Sequence, residues 1–291
     1  MRVSQLISDE SVAKNLLRNA LQKAVYERLE QKVGIAFSGG IDSSLIAALA
    51  KGKWGEIILY SVGLKDSHDV HQAARAAELL GLKDCLRLKI VTQDEIESYL
   101  PKVIKAIGNV DPTQISIGTP LFIAAEKAHD DGVKVMLSGQ GADELFAGYH
   151  RHAKAFEKGA EVLHQEIIKG MQNVGEVDLK RDTAVMAVNS IELQTPYLDD
   201  AVIEVGLKIA PGLKIRKMGE GYKNKYILRR LAEDIMPREI AWKDKKAVQY
   251  GSGIYRAMDR LSRAHGYKGV GRVKRYLISI AEKCDIPVEE T

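Results

Sequence analysis

The chain has 291 residues, 45% of them apolar and 28% charged, and its 43 basic against 39 acidic side chains leave a net charge of +4. Such a composition belongs to a soluble globular protein of one large or two ordinary domains, and the charge is too even to argue for a nucleic-acid partner. No apolar run approaches the roughly 18 residues of a membrane span, and the start MRVSQLISDE has no signal-peptide core, so a cytoplasmic location is expected. The two cysteines, Cys85 and Cys284, form no CxxC pair, and neither a metal site nor a catalytic dithiol is indicated.

Residues 9 to 30 space Val12, Leu16, Ala20, Ala24 and Leu29 as an amphipathic helix. The run Val33-Gly34-Ile35-Ala36-Phe37 then reads as a buried strand, followed by Ser38-Gly39-Gly40 as a tight turn and by Asp42-Ser43-Ser44 as the entry to a second helix. A Gly-Gly between strand and helix is often only a connection that needs a positive φ. Here the turn also carries hydroxyls and leads into a helix N-terminus, an arrangement suited to a phosphate chain, without the GxxxxGK[ST] spacing of the P-loop.

Glu56 to Val62 is a second strand, Asp69 to Leu80 a helix, Leu86 to Val91 a third strand and Gln93 to Ile107 a helix. Asn109 to Pro112 breaks the chain, Pro120 to Asp130 resumes as helix, and Val133 to Leu137 is a fourth strand. Strand and helix alternate, which predicts a doubly wound parallel sheet with its ligand outside the carboxyl ends of the strands. Three loops fall at those ends. Ser38 to Ser43 is the first. Gly63 to Asp69 is the second, and its His68 reads as surface polarity and its Asp69 as a helix cap facing the ligand. The third, Ser138 to Glu144, contains a second glycine turn with Asp143 and Glu144 at a helix start. Acidic residues there compensate a helix dipole, but Asp143 is also expected to face Asp42, and two carboxylates over a triphosphate are what Mg²⁺ needs. After residue 150 the pattern turns to helices at about 152–172, 178–191, 199–209, 223–235, 253–264 and 270–283. The basic tail around Lys274 reads as a solvated face.

SGGIDSS is similar to the PP-loop of the ATP pyrophosphatases. SGGIDSS, SVGLKDSHD, LSGQGADELFAGY, ELQTPYLD (192–199) and IAWKDKK (240–246), in this order, resemble the synthetase domain of asparagine synthetases from about residue 10 to residue 265. The resemblance implies residues 1–150 as the ATP-binding PP-loop α/β domain and 151–291 as a helical subdomain completing the site. It implies an ATP-dependent amide-forming ligase that activates a carboxylate, aspartate in the family's case, as an acyl-adenylate, releases pyrophosphate and passes the acyl group to ammonia or an amine. ATP and Mg²⁺ would be bound, with Ser38, Gly39, Gly40 and Ser43 on the phosphates, Asp42 and Asp143 on the metal, and Val62 and Gly139 beside the adenine. Asp69 and Tyr149 complete the expected nucleotide contacts, and Gln140, Asp143, Glu144 and Lys245 are the expected catalytic set. Lys245 earns its place by aligning Trp242 with the start of the family's WRxK-like segment, among the neighbouring Lys243 and Lys246, with Gly251-Ser252-Gly253 as a hinge.

The sequence departs from the pattern in three places. Residue 2 is Arg2 and no cysteine precedes Cys85, where glutamine-using relatives begin with a nucleophilic cysteine, so nitrogen is expected as ammonia or from a separate glutaminase. Gln140 stands for the family's usual Glu, and Gln194 for its Arg. Two other readings share the first motif: a tRNA-modifying pyrophosphatase and a non-catalytic nucleotide-binding regulator. The fourth-strand motif speaks against the first, and the paired carboxylates with Lys245 against the second.

Overall fold

The computed structural model describes residues 6–53, 55–243 and 251–288. Its centre is a parallel sheet of five strands, β1 (Lys32–Ala36), β2 (Glu56–Gly63), β3 (Leu86–Ile90), β4 (Val135–Leu137) and β5 (Glu192–Gln194), in the order β3-β2-β1-β4-β5. The inner strands β1, β2 and β4 are largely apolar and buried because both faces are covered, whereas the edge strands β3 and β5 are partly exposed. Val33, Ile35, Leu59 and Leu137 enter one core with helices α1 (Glu10–Tyr26), α2 (Ile41–Ala50) and α3 (His68–Leu79). Ile58, Tyr60, Val62 and Met136 enter the other with α4 (Gln93–Ile107), α5 (Pro112–Asp130) and the helices Ile254–Ala264 and Arg272–Lys283.

The chain runs outward from β1 through β2 to β3, then returns to the opposite side of β1 as β4. Strand order therefore reverses between β1 and β4, and the crevice at their carboxyl ends is the switch point of a doubly wound sheet. Register sharpens this, since Ile35 lies opposite Leu137 and the two following loops leave the sheet side by side.

The elements differ from the sequence reading in four places. Helix α5 begins at Pro112, because Asp111 caps it by accepting from Gln114 N at 2.8 Å and proline is at home in a first turn; Pro120 is then interior. The long helix expected over 152–172 is two, His150–Lys158 and Ala160–Asn173, parted by Gly159. Glu192–Gln194 is a strand, too short to display an alternating pattern, paired to β4 in parallel. Finally, Ile215–Met218 (β6) and Gly221–Asn224 (β7) form an antiparallel hairpin, and the helix expected from 223 starts at Tyr226.

Candidate functional site

The turn after β1 is built as its residue types dictate. Gly39 has φ +70°, and a Cβ there would lie 2.6 Å from the carbonyl oxygen of Gln72, so glycine is needed both for conformation and for the approach of α3. Ser38 Oγ accepts from Gly40 N at 3.3 Å, and Ser43 Oγ accepts from Ser38 N at 3.3 Å while lying 3.4 Å from Ser38 Oγ. Gly40, the N-cap of α2, makes no side-chain cap, so the first turn of α2 keeps its N–H groups free of a capping side chain. The loop after β4 presses against this turn: a Cβ on Gly139 would lie 2.8 Å from Asp42 Cβ. Gln140 N donates to Ser138 Oγ at 3.3 Å, which holds the second glycine turn in shape.

Asp42 and Asp143, one from each loop, meet as expected, but over a lysine that the sequence reading missed. Lys225 Nζ lies 2.8 and 2.7 Å from the two carboxylate oxygens of Asp42 and 2.7 Å from Asp143 Oδ1, with only 2% of its side chain exposed. Burial alone would lower its pKa; the charges of Asp143 and Asp42 outweigh that and hold it above the ordinary lysine value. The backbone is arranged around this contact. Lys225 stands at φ +56° just before the helix Tyr226–Ala232, and a Cβ on Gly148 would overlap both Asp143 Oδ1 and Lys225 Cε. The buried Tyr197 hydroxyl donates to the carbonyl oxygen of Asp42 at 3.1 Å. The sequence reading places Lys225 inside a helix at 223–235 with no role; Gly148, whose Cβ would overlap Asp143 and Lys225, marks the close approach.

Asp42 and Asp143 are hard oxygen donors of the kind Mg²⁺ takes, and in this structure Lys225 Nζ holds both of them. Among the described residues there is no group of three or more His, Cys, Asp or Glu side chains able to hold a metal ion. A metal ion on this pair would have to take its remaining ligands from phosphate oxygens and water.

The other expected residues divide. Val62 and Gly63 end β2 on the rim of the crevice. Asp69 does not cap α3: Ser67 does, its Oγ accepting from Val70 N at 3.4 Å, and Asp69 lies in the first turn with His68 Nδ1 3.4 Å away. A Cβ on Gly251 would overlap the Asp69 carboxylate, and Ser252 O accepts from Leu64 N at 3.0 Å, so residues 251–253 sit on the β2–α3 loop. Glu144 is buried beside Gly170 and accepts from the Tyr149 hydroxyl. Burial raises the pKa of both side chains, with the shared hydrogen bond partly offsetting the rise for Glu144. Gln194 lies on the flank of the sheet, where its Oε1 accepts from Arg28 Nε at 3.1 Å; Arg28 also pairs with Asp199 at 2.9 Å. Lys245 lies outside the described residues, between Lys243, whose carbonyl accepts from Arg229 at 2.9 Å, and Gly251.

The asparagine synthase family model matches residues 16–161 and 154–265. A putative glutamine-hydrolysing asparagine synthetase of Methanocaldococcus jannaschii is 39% identical over 302 aligned residues, covering 93% of this chain and 55% of the relative. Asparagine synthetase B of Escherichia coli is 31% identical over 263, covering 85% and 46%. The chain thus spans about half the length of the curated relatives it matches. Among solved structures, a U34-tRNA thiolase of Methanococcus maripaludis covers 94% of this chain and 82% of its own at 15% identity, with a TM-score of 0.38.

Proposed function

The chain belongs to the asparagine synthase family, and we propose that it is the part of such a ligase that activates aspartate as an acyl-adenylate and converts it to asparagine. The observation that carries this is the meeting of Asp42 and Asp143, one from the loop after β1 and one from the loop after β4, at Lys225 Nζ. In this reading residues 1–150 bind ATP and 151–291 complete the site, in the cytoplasm.

The triphosphate lies on the first turn of α2, held by Ser38, Ser43 and the main chain of Gly39 and Gly40, with the adenine against the main chain of Val62 and Gly139. Asp69 and Tyr149 border the nucleotide site. Mg²⁺, held by Asp42 and Asp143, would neutralise phosphate charge. A substrate carboxylate oxygen bonds to the α-phosphorus, the bond to the bridging oxygen breaks, and pyrophosphate leaves with that electron pair. Ammonia then attacks the acyl carbon, AMP leaves and one proton is released, with Gln140 and Glu144 beside the loop that faces the incoming nitrogen. Lys245 supplies the full positive charge that glycine N–H groups lack as negative charge builds on the phosphoryl oxygens. In this reading the nitrogen reaches the acyl-adenylate as ammonia, free or delivered by a glutaminase.

Purified chain given aspartate, ammonium and Mg-ATP should yield asparagine with AMP in equal amount, and none with glutamine in place of ammonium. Formation of ADP instead of AMP, or glutamine turnover by the chain alone, would overturn the reading.

A further inference from the structure

Lys225 reaches the two carboxylates from inside the protein. Its side chain is 2% exposed, while those of Asp42 and Asp143 are each 15% exposed. The ammonium takes both oxygens of Asp42, at 2.8 and 2.7 Å, and Oδ1 of Asp143 at 2.7 Å, so the inner side of the pair already holds one full positive charge. The backbone fixes it there. Asn224, the residue before it, donates from Nδ2 to the carbonyl oxygen of Tyr149 at 2.8 Å, and its own carbonyl accepts from Arg229 Nε at 2.8 Å. The carbonyl of Lys225 accepts from Arg229 N at 2.9 Å as the helix begins. A φ of +56° on a residue other than glycine persists only where its neighbours over-determine it. The stem is confined as well, since a Cβ on Gly148 would overlap Lys225 Cε.

Two adjacent carboxylates with no counter-charge attract a bare divalent cation and repel a triphosphate. One buried ammonium acts on both tendencies. It cancels one of the two negative charges, and from its place on the same oxygens it repels any second cation brought to them. A triphosphate in the turn after β1 restores the attraction, because its own negative charge outweighs the ammonium.

On the reading of Asp42 and Asp143 as metal ligands, we propose that Lys225 is a resident cation that keeps bare Mg²⁺ off the pair, so that the metal ion is taken up only together with the triphosphate. The nucleotide-free crevice is then closed to divalent cations and open to Mg-ATP as a unit. An ion pair serving stability alone sets no such order.

The probe is Mn²⁺, its binding to the nucleotide-free chain read from the loss of its free spin-resonance signal, together with the unfolding temperature in the presence and absence of Mg²⁺. Wild type should bind Mn²⁺ weakly, and its unfolding temperature should ignore Mg²⁺. Lys225→Met should bind Mn²⁺ at least about tenfold more tightly and regain unfolding temperature as Mg²⁺ is added. Lys225→Gln, which keeps a hydrogen-bond donor without the charge, should show the same gain and serves where the methionine variant does not fold. Adding Asp42→Asn to either should abolish the gain, which ties it to this pair of carboxylates. Equal Mn²⁺ affinity in wild type and the Lys225 variants, or a gain that survives Asp42→Asn, would overturn the role of Lys225. Mn²⁺ with ATP checks the underlying reading separately. Wild type should take up both together and Asp42→Asn should not. A ternary complex retained in Asp42→Asn removes the pair as metal ligands and the role of Lys225 with it; one lost in Asp42→Asn, with no Mn²⁺ gain in the Lys225 variants, removes the role of Lys225 alone.

Discussion

Lys225 is the side chain on which the two halves of the crevice depend, because it neutralises carboxylates from two loops that would otherwise repel. Removing one partner of a buried ion pair costs more than the pair contributes, so Lys225→Met should lower unfolding stability in urea by about 3–5 kcal/mol. Adding Asp42→Asn should recover part of that loss. Strict additivity of the two changes would show that the contact carries no coupling energy. Gly148→Ala attacks the same contact from outside, since its methyl overlaps Asp143 and Lys225; Mg-ATP binding by calorimetry should be lost. Asp42 and Asp143 were legible in the sequence because each stands two residues after a glycine turn, at a helix start. Lys225 was not, because its conformation is left-handed and both partners are remote in sequence, Asp42 183 residues away and Asp143 on another loop.

At the scale of elements, the phosphate cradle depends on α3 lying close under the turn after β1. Gly39→Ala meets both a positive φ and the carbonyl of Gln72, and should destabilise the chain by roughly 1–3 kcal/mol while weakening ATP binding. The helix His150–Lys158 carries a pH signature. Burial, then the charge of Arg151, lowers His152 from 6.5 to about 4, against a smaller opposing effect of Asp143. The unfolded chain therefore binds the proton first, so the stability is fully present above about pH 6.5 and is lost as pH falls toward 4, to the extent of about 3 kcal/mol. In phosphate-free buffer His152→Gln should flatten that part of the profile; an unchanged slope would remove His152 as its source. The strands β1 to β4 and most helices could be read from apolar runs and caps. Strand β5 and the hairpin could not, because three or four residues paired through the backbone leave no periodicity.

For the whole molecule, the doubly wound order puts two motifs about 100 residues apart at one crevice, and the chain past residue 225 returns to the β2–α3 loop at residues 251–253. Arg229 holds the carbonyls of Ala241 and Lys243 at 2.9 Å, and residues 251–253 rest on the β2–α3 loop, so the described residues on either side of 244–250 are both anchored. Lys243 meets Arg229 through its main chain, and its side chain is exposed; Lys243→Ala should therefore change little. Lys245→Ala should cost about 3 kcal/mol or more of transition-state stabilisation, a hundredfold or greater loss of rate, with a much smaller effect on ATP binding. The most direct measurement is ATP–pyrophosphate exchange across a panel of carboxylic amino acids. The account predicts exchange that depends on aspartate and Mg²⁺, is abolished in Asp42→Asn and Lys245→Ala, and persists in Lys243→Ala; exchange that ignores aspartate, or that survives in Asp42→Asn and Lys245→Ala, would contradict it.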